Sequence, residues 1–482
     1  MGTGQGAVEG GCMNCAEVKE WIDTKEYKEA NFKREALVVN PPKACQPLGA
    51  VFCAVGFEGT LPFVHGSQGC VAYFRNNLSR HYREPFSAVS TSMTEDAAVF
   101  GGMNNLIEGL QNAYAVYKPK MIAISTSCMA EVIGDDLNSF VIKAKELGVI
   151  PADFPVSFAH TPSFVGSHIT GYDNMLKGIL LNMTRDKKAK RNKKINIIPG
   201  FDPYPGNIRE IKRMLSLMGV EYTVLADNSE ILDAPQMGKF EMYAGGTKLE
   251  DAQNAGNSAA TVALQKFSTM QTIKFAQESF EHEGLQLYPP MGIRATDKFL
   301  MEMKRLTGKP IPTELEIERG RAVDAATDAH QYLHGKRFAV FGDPDNVYAI
   351  VNFLLEMGGE PVHILTATGT KQFEDEMKSL LSGSACGNEA QVYIGKDLWH
   401  LRSLLMTNPV DMLIGDSHGK WIARDAGIPL LRIGFPIFDR VNLHRSPIIG
   451  YQGTINLITG IANAFIEEID RTSDDAHFEL LR

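Results

Sequence analysis

The chain has 482 residues, 44% hydrophobic and 22% charged, with a net charge of -9. At ~150 residues per domain this length suggests about three domains of an ordinary globular protein. The acidic balance excludes a general nucleic-acid binder, whose phosphate contacts need a basic face, and no apolar run approaches the ~20 residues of a membrane span.

The Gly-rich opening, Met1 to Cys15, lacks the apolar core of a secretory signal. The expected compartment is the cytoplasm, where thiols stay reduced. The seven cysteines, an odd number, then need not pair, and any special role for them is metal binding or redox chemistry.

Residues 1–44 read as a polar arm with one short helix, Glu17 to Phe32, ended before Pro41-Pro42. From Cys45 onward buried-strand runs alternate with amphipathic helices. Met121-Ile122-Ala123-Ile124 is a strand, preceded by Met103, Leu106, Ile107 and Leu110 at helical spacing. The run Lys187 to Lys194 is dense in Lys and Arg and reads as a solvated linker between domains, with a docking patch for an acidic partner as the other reading.

An internal repeat follows. Ile195 to Ile198, Asp202-Pro203, the helix face Ile208, Ile211, Leu215 and Met218, then Gly219 and Val220 to Leu225 run strand, turn, helix, stop, strand. Phe338 to Phe341, Asp343-Pro344, Val347 to Leu354, Gly358 and Pro361 to Leu365 repeat that order. The unit continues through strands Gln391 to Ile394, Met412 to Ile414 and Pro429 to Ile433, with a helix from Leu398 to Leu405. Such units build parallel sheets with right-handed crossovers. The expected fold is α/β: three Rossmann-like domains, near 45–183, 195–335 and 336–470, with helices flanking parallel sheets. A short arm precedes them and a tail, 471–482, follows. The stretch Asp233 to Pro312 shows few strong strands and reads as mostly helix and loop. No phosphate loop or dinucleotide fingerprint follows a strand, and Gly2-Thr3-Gly4-Gln5-Gly6 lies in the arm.

Four positions of the first domain stand out: Cys45 in Lys43-Ala44-Cys45-Gln46-Pro47, Cys70 after Gly66-Ser67-Gln68-Gly69, Cys128 just past a strand, and Ser163 in His160-Thr161-Pro162-Ser163. Thiolates are soft ligands suited to iron-sulfur clusters, and Gly66 and Gly69 permit close approach of the chain to a large inorganic body. By spacing alone three cysteines this far apart form no metal motif, and each is equally well a small apolar residue.

These four segments resemble the cluster half-site of the nitrogenase molybdenum-iron protein beta chains. The similarity runs from about Thr24 to the C-terminus. It includes Ser92 to Gly102, Tyr393 to Ser403 and Gly434 to Arg440, and Leu48 and Ser67 favour the molybdenum type over the vanadium and iron-only relatives. The resemblance implies that Cys45 and Cys128 are terminal and Cys70 a bridging ligand of an [8Fe-7S] P-cluster, and that Ser163 becomes an oxygen ligand on oxidation. It implies three further thiolates from an alpha chain in an alpha2-beta2 heterotetramer, and the molybdenum-iron cofactor in that alpha chain only. It implies docking of the homodimeric, ATP-hydrolysing iron protein at Phe100, with no nucleic-acid or membrane partner. A second implied site is a calcium or iron(II) ion between two beta chains, held by Asp324 and Asp328 of one copy and by Glu84 and the Arg83 carbonyl of the other. Asp324 and Asp328 stand at i, i+4 on a predicted helix, where like charges repel; a solvated acidic face is the plain alternative. The related cofactor-assembly scaffold shares the fold and is the nearest rival. Cys12-Met13-Asn14-Cys15 stands where some members carry a longer extension; it reads as having no role, and Cys53 and Cys386 read as structural.

Overall fold

A computed structural model describes residues 15–37, 39–184, 191–235, 238 and 245–473. It contains three parallel sheets flanked by helices. In the first, β1 (Thr60–His65), β2 (Val89–Ser90), β3 (Met121–Thr126) and β4 (Val156–Ala159) lie in the order β2-β1-β3-β4. In the second, β5 (Ile195–Ile198), β6 (Tyr222–Val224), β7 (Ala260–Ala263) and β8 (Glu283–Gln286) lie in the order β6-β5-β7-β8. The third has β9 (Arg337–Phe341), β10 (Glu360–Thr366), β11 (Gln391–Ile394), β12 (Met412–Gly415) and β13 (Leu430–Arg432) in the order β11-β10-β9-β12-β13.

Every position of β1 and β3 is buried, as expected of central parallel strands covered on both faces. Alternation sorts the side chains. Leu61, Phe63, Ile122 and Ile124 meet Leu106, Leu110, Leu137 and Val141 on one face. Val64, Met121 and Ala123 join the main core with Phe52, Tyr172 and Leu176 on the other. There the helices Gln46–Val55 and His168–Met183 pack with their backbones touching. A Cβ built on Gly49 would stand 1.7 Å from the His168 carbonyl oxygen, and one on Gly171 would stand 1.9 Å from that of Gln46.

Several expectations need correction. Asp233 to Pro312 is not helix and loop alone, because β7 and β8 lie in it. Ala260-Thr261-Val262-Ala263 is made of small residues with a polar one among them, and Thr261 is buried because Asn196 and His282 bond its hydroxyl. The single arm helix is two, Cys15–Ile22 and Lys25–Lys33, the second capped by Thr24 Oγ1 accepting from Tyr27 N. The arm is also anchored. Asn31 Nδ2 donates to Ser403 Oγ at 2.9 Å, and Arg34 makes a forked pair with Asp397 at 2.8 and 2.9 Å. Arg191, within the basic run, is no free linker residue, since its guanidinium donates to the carbonyls of Ser258, Phe280 and Glu281. The rest of that run to residue 190, Gly2 to Gly6, Cys12 and the tail beyond 473 lie outside the described residues, as does the side chain of Cys15.

Candidate functional site

The order β2-β1-β3-β4 reverses direction between β1 and β3. The carboxyl ends of neighbouring strands at such a reversal border a crevice where α/β proteins bind ligands. Cys70 follows β1 by one short turn and lies in the first turn of the helix Gln68–Tyr82. Cys128 follows β3 and opens the helix Cys128–Ile133. Ser163 follows β4, and Cys45 caps the helix Gln46–Val55 beside it.

Hydrogen bonds lock these ends together. The hydroxyls and amides of Thr126 and Thr161 are reciprocally bonded, at 3.0 Å from Thr126 N to Thr161 Oγ1 and 2.8 Å from Thr161 N to Thr126 Oγ1. Ser127 N donates to the His65 carbonyl at 2.9 Å. Gln46 clamps the Ser163 loop: its amide nitrogen donates to Ser163 Oγ at 3.2 Å and its Nε2 to the Pro162 carbonyl at 2.7 Å. Ser67 Oγ lies 3.4 Å from Cys70 Sγ. Gln46 was legible only as part of the Cys-Gln-Pro motif; nothing in its spacing marks it as the clamp.

The four predicted residues therefore converge. Cys45 and Cys128 are exposed on this chain and Cys70 is half-buried. Burial pushes the Cys45 thiol up, a hydrogen bond with Ser163 opposes this, and the nearby thiols of Cys128 and Cys70 raise it further. Among the described residues, no three His, Cys, Asp or Glu side chains form the tight shell of a single metal ion. The thiols are within electrostatic reach of one another but spread around a wider space. A Cβ on Gly69 would meet nothing within 4 Å, while one on Gly66 would strike Ser127 Oγ at 2.1 Å. Gly66 is thus required by packing, and Gly69 leaves the backbone beside Cys70 open. Large apolar side chains are exposed in or next to the same segments: Tyr73, Val132, Phe164 and Val165.

Phe100 ends the helix Glu95–Phe100 and is 86% exposed. Val99 beside it is exposed too. Asp324 and Asp328 lie on the helix Thr313–Asp328, both exposed, and among the described residues no side chain pairs with either carboxylate. Arg83 adopts the left-handed conformation, φ 61°, at the end of the helix Gln68–Tyr82, and its guanidinium donates to the Phe438 carbonyl at 2.7 Å. Within one chain, among the described residues, no hydrogen bond or ion pair joins Arg83 or Glu84 to that acidic pair. Cys53 is fully buried and Cys386 half-buried.

The family model described as nitrogenase component 1 type oxidoreductase matches residues 45–466. The chain is 59% identical to a nitrogenase molybdenum-iron protein beta chain of Rippkaea orientalis, over 97% of this chain and 92% of that one. It is 57% identical to the protein of the same name from Azotobacter vinelandii, over 94% of this chain and 89% of that one. Among solved structures, one titled nitrogenase Cp1 at pH 6.5 superposes with a TM-score of 0.90 at 39% identity, covering 93% of this chain and 98% of the other.

Proposed function

Because the chain belongs to the nitrogenase component 1 type oxidoreductases, and within them to the molybdenum-iron protein beta chains, we propose that Cys45, Cys70 and Cys128 supply half of the thiolates of an [8Fe-7S] P-cluster. An alpha chain supplies the rest, in an alpha2-beta2 heterotetramer. The observation that carries this reading is the convergence of three thiols and the Ser163 hydroxyl, from four separate segments, on one face at the β1–β3 crevice. The donor set fits such a group: soft sulfur, no carboxylate among the donors, and an open backbone at Gly69. A bound cluster of this class stores electrons and passes them on.

The chain's own contribution is positional and protonic. The Thr126–Thr161 lock and the Gln46 clamp hold the donors in register, and the exposed Tyr73, Val132, Phe164 and Val165 give a partner chain an apolar surface to cover, which would also exclude water. Ser163 is the donor that carries a proton. A hydroxyl holds its proton until nearby positive charge rises and then yields it, as metal-bound water does. With such a group bound, Ser163 would supply an oxygen donor to its oxidised form, and its Oγ would give up the proton that it otherwise holds. The iron protein docks at Phe100, and the molybdenum-iron cofactor resides in the alpha chain. Asp324 and Asp328 take a calcium or iron(II) ion together with Glu84 and the Arg83 carbonyl of a second copy.

The test is purification of the native complex with analysis of its chains, iron and acid-labile sulfide. We expect a heterotetramer with several irons per beta chain, and loss of iron in Cys128→Ala; a stable monomer free of iron and sulfide rejects the reading. Redox titration of Ser163→Ala separates the serine from the cysteines. The reduced state should keep its iron while the oxidation step loses its pH dependence. A potential and pH slope equal to the parent's would remove the role of Ser163.

A further inference from the structure

A buried polar chain runs beside the segments that carry the thiols. His65, the last residue of β1, is fully buried, and its Nε2 lies 2.8 Å from Asp135 Oδ2. Asp135 is also buried, and its carboxylate accepts the Gly102 amide at 3.1 and 3.2 Å. On the other side of the ring, His65 Nδ1 lies 3.2 Å from Thr91 Oγ1, which accepts from Gly66 N at 3.0 Å. The proton order follows from chemistry. A carboxylate only accepts, so Nε2 donates; Nδ1 of the neutral ring then accepts the Thr91 hydroxyl proton. Burial lowers the proton affinity of His65 despite Asp135, which keeps the ring in that neutral form.

The two ends of this chain are the notable part. One end is Gly102, two residues from the exposed Phe100. The other is the backbone of the ligand segments: Gly66 leads to Cys70, the His65 carbonyl holds the amide of Ser127 ahead of Cys128, and Asp135 follows the helix that Cys128 opens. The contact at Gly102 has no slack. A Cβ there would stand 2.5 Å from Asp135 Oδ2 and 2.7 Å from His65 Nε2. Charge-assisted bonds in such a dry site are strong and directional, so the Phe100–Gly101–Gly102 edge cannot shift without moving the carboxylate and the ring.

We propose that His65 and Asp135 are positioning residues which transmit displacement of the Phe100–Gly101–Gly102 edge to the backbone carrying Cys70 and Cys128. This rests on the reading that the edge is a docking surface and the thiols hold a cluster. Docking of a partner at Phe100 then changes the setting of two thiolates without touching them. Thr91 is the link on the thiol side and Asp135 the link on the docking side.

The experiment is hydrogen–deuterium exchange on the native, cluster-loaded complex, with and without the iron protein held in its docked state by a non-hydrolysable nucleotide, and with iron analysis alongside. In the parent, docking should slow exchange both at residues 101–103 and at residues 66–70 and 127–129. In Asp135→Asn and in Thr91→Val, protection at 101–103 should persist while the response at 66–70 and 127–129 falls at least threefold, with iron content unchanged. The cluster's spectroscopic response to docking should fall with it. An unchanged response at 66–70 in both variants overturns the proposal, as does a parent whose ligand segments do not respond to docking. A complex without iron, or one that shows no protection at 101–103, rejects the functional reading instead. If one variant fails to assemble, the other decides, since each cuts the chain at a different bond.

Discussion

Gly49→Ala should loosen the candidate site through a contact that no residue of the site makes. In isolation this change favours a helix by about 1 kcal/mol. Here the new Cβ starts 1.7 Å from the His168 carbonyl oxygen and must move beyond 3.0 Å, the closest approach real Cβ atoms make. Backbone is on the other side, so no side chain can turn away, and the helices Gln46–Val55 and His168–Met183 have to part. Overpacking of this kind costs about 1–3 kcal/mol, which outweighs the propensity gain. Separation also strains the two bonds that tie His168 to Ala44, His168 N to the Ala44 carbonyl at 3.0 Å and Ala44 N to His168 Nδ1 at 3.1 Å. Ala44 adjoins Cys45, so the thiol moves away from Ser163. The net cost of about 1 kcal/mol should lower the unfolding temperature by about 2–4 °C if the domain unfolds as a unit, and the iron bound per beta chain should fall. Gly171→Ala should do the same from the opposite helix. An unfolding temperature equal to or above the parent's with full iron content would refute the close-approach reasoning.

Phe100→Ala should slow electron delivery at subsaturating iron protein and leave iron content intact, because an 86% exposed aromatic contributes nothing to the core; equal rates would exclude a docking role. Asp324→Asn with Asp328→Asn should release bound cation and speed dissociation between beta chains, leaving cluster iron unaltered; unchanged cation content removes that site. Arg34→Ala should free the arm helices, measurable as new protease cleavage within residues 15–40, at a cost of about 3 kcal/mol because the buried Asp397 carboxylate loses its partly exposed partner. Burial alone would raise the Asp397 carboxyl, but Arg34, the Val39 amide and His400 together hold it down to about 2. Its contribution is therefore complete above pH ~4 and lost as pH falls through 2, worth about 2–3 kcal/mol. Asp397→Asn should lose that acid-sensitive step, and a variant that keeps the parent's pH profile would assign the step elsewhere.

Much of this was legible in the chain itself. Apolar runs such as Met121-Ile122-Ala123-Ile124 and Phe338 to Phe341 mark central strands because parallel strands are buried on both faces, and both became strands. β7 and β8 were missed because their pattern is weak: Thr261 is buried by virtue of partners at Asn196 and His282, which no local window contains. The arm's charges are visible in the sequence, whereas the residues that anchor it, Asp397 and Ser403, lie more than 360 positions away.

The site shows why spacing alone could not identify it. Cys70, Cys128 and Ser163 follow β1, β3 and β4, so the distances between them in sequence are the lengths of whole strand–helix units and not those of a metal-binding loop. A motif with short fixed spacing encodes a site held by one local turn. Here the encoding is topological, since the crossover order places three strand ends side by side and each end then needs only one donor. Such an arrangement makes the donors depend on what holds the strand ends in register. The Thr126–Thr161 lock, the Gln46 clamp and the Gly49 and Gly171 contacts are therefore as much a part of the site as the sulfur atoms, and changes there should lower iron content without removing a ligand.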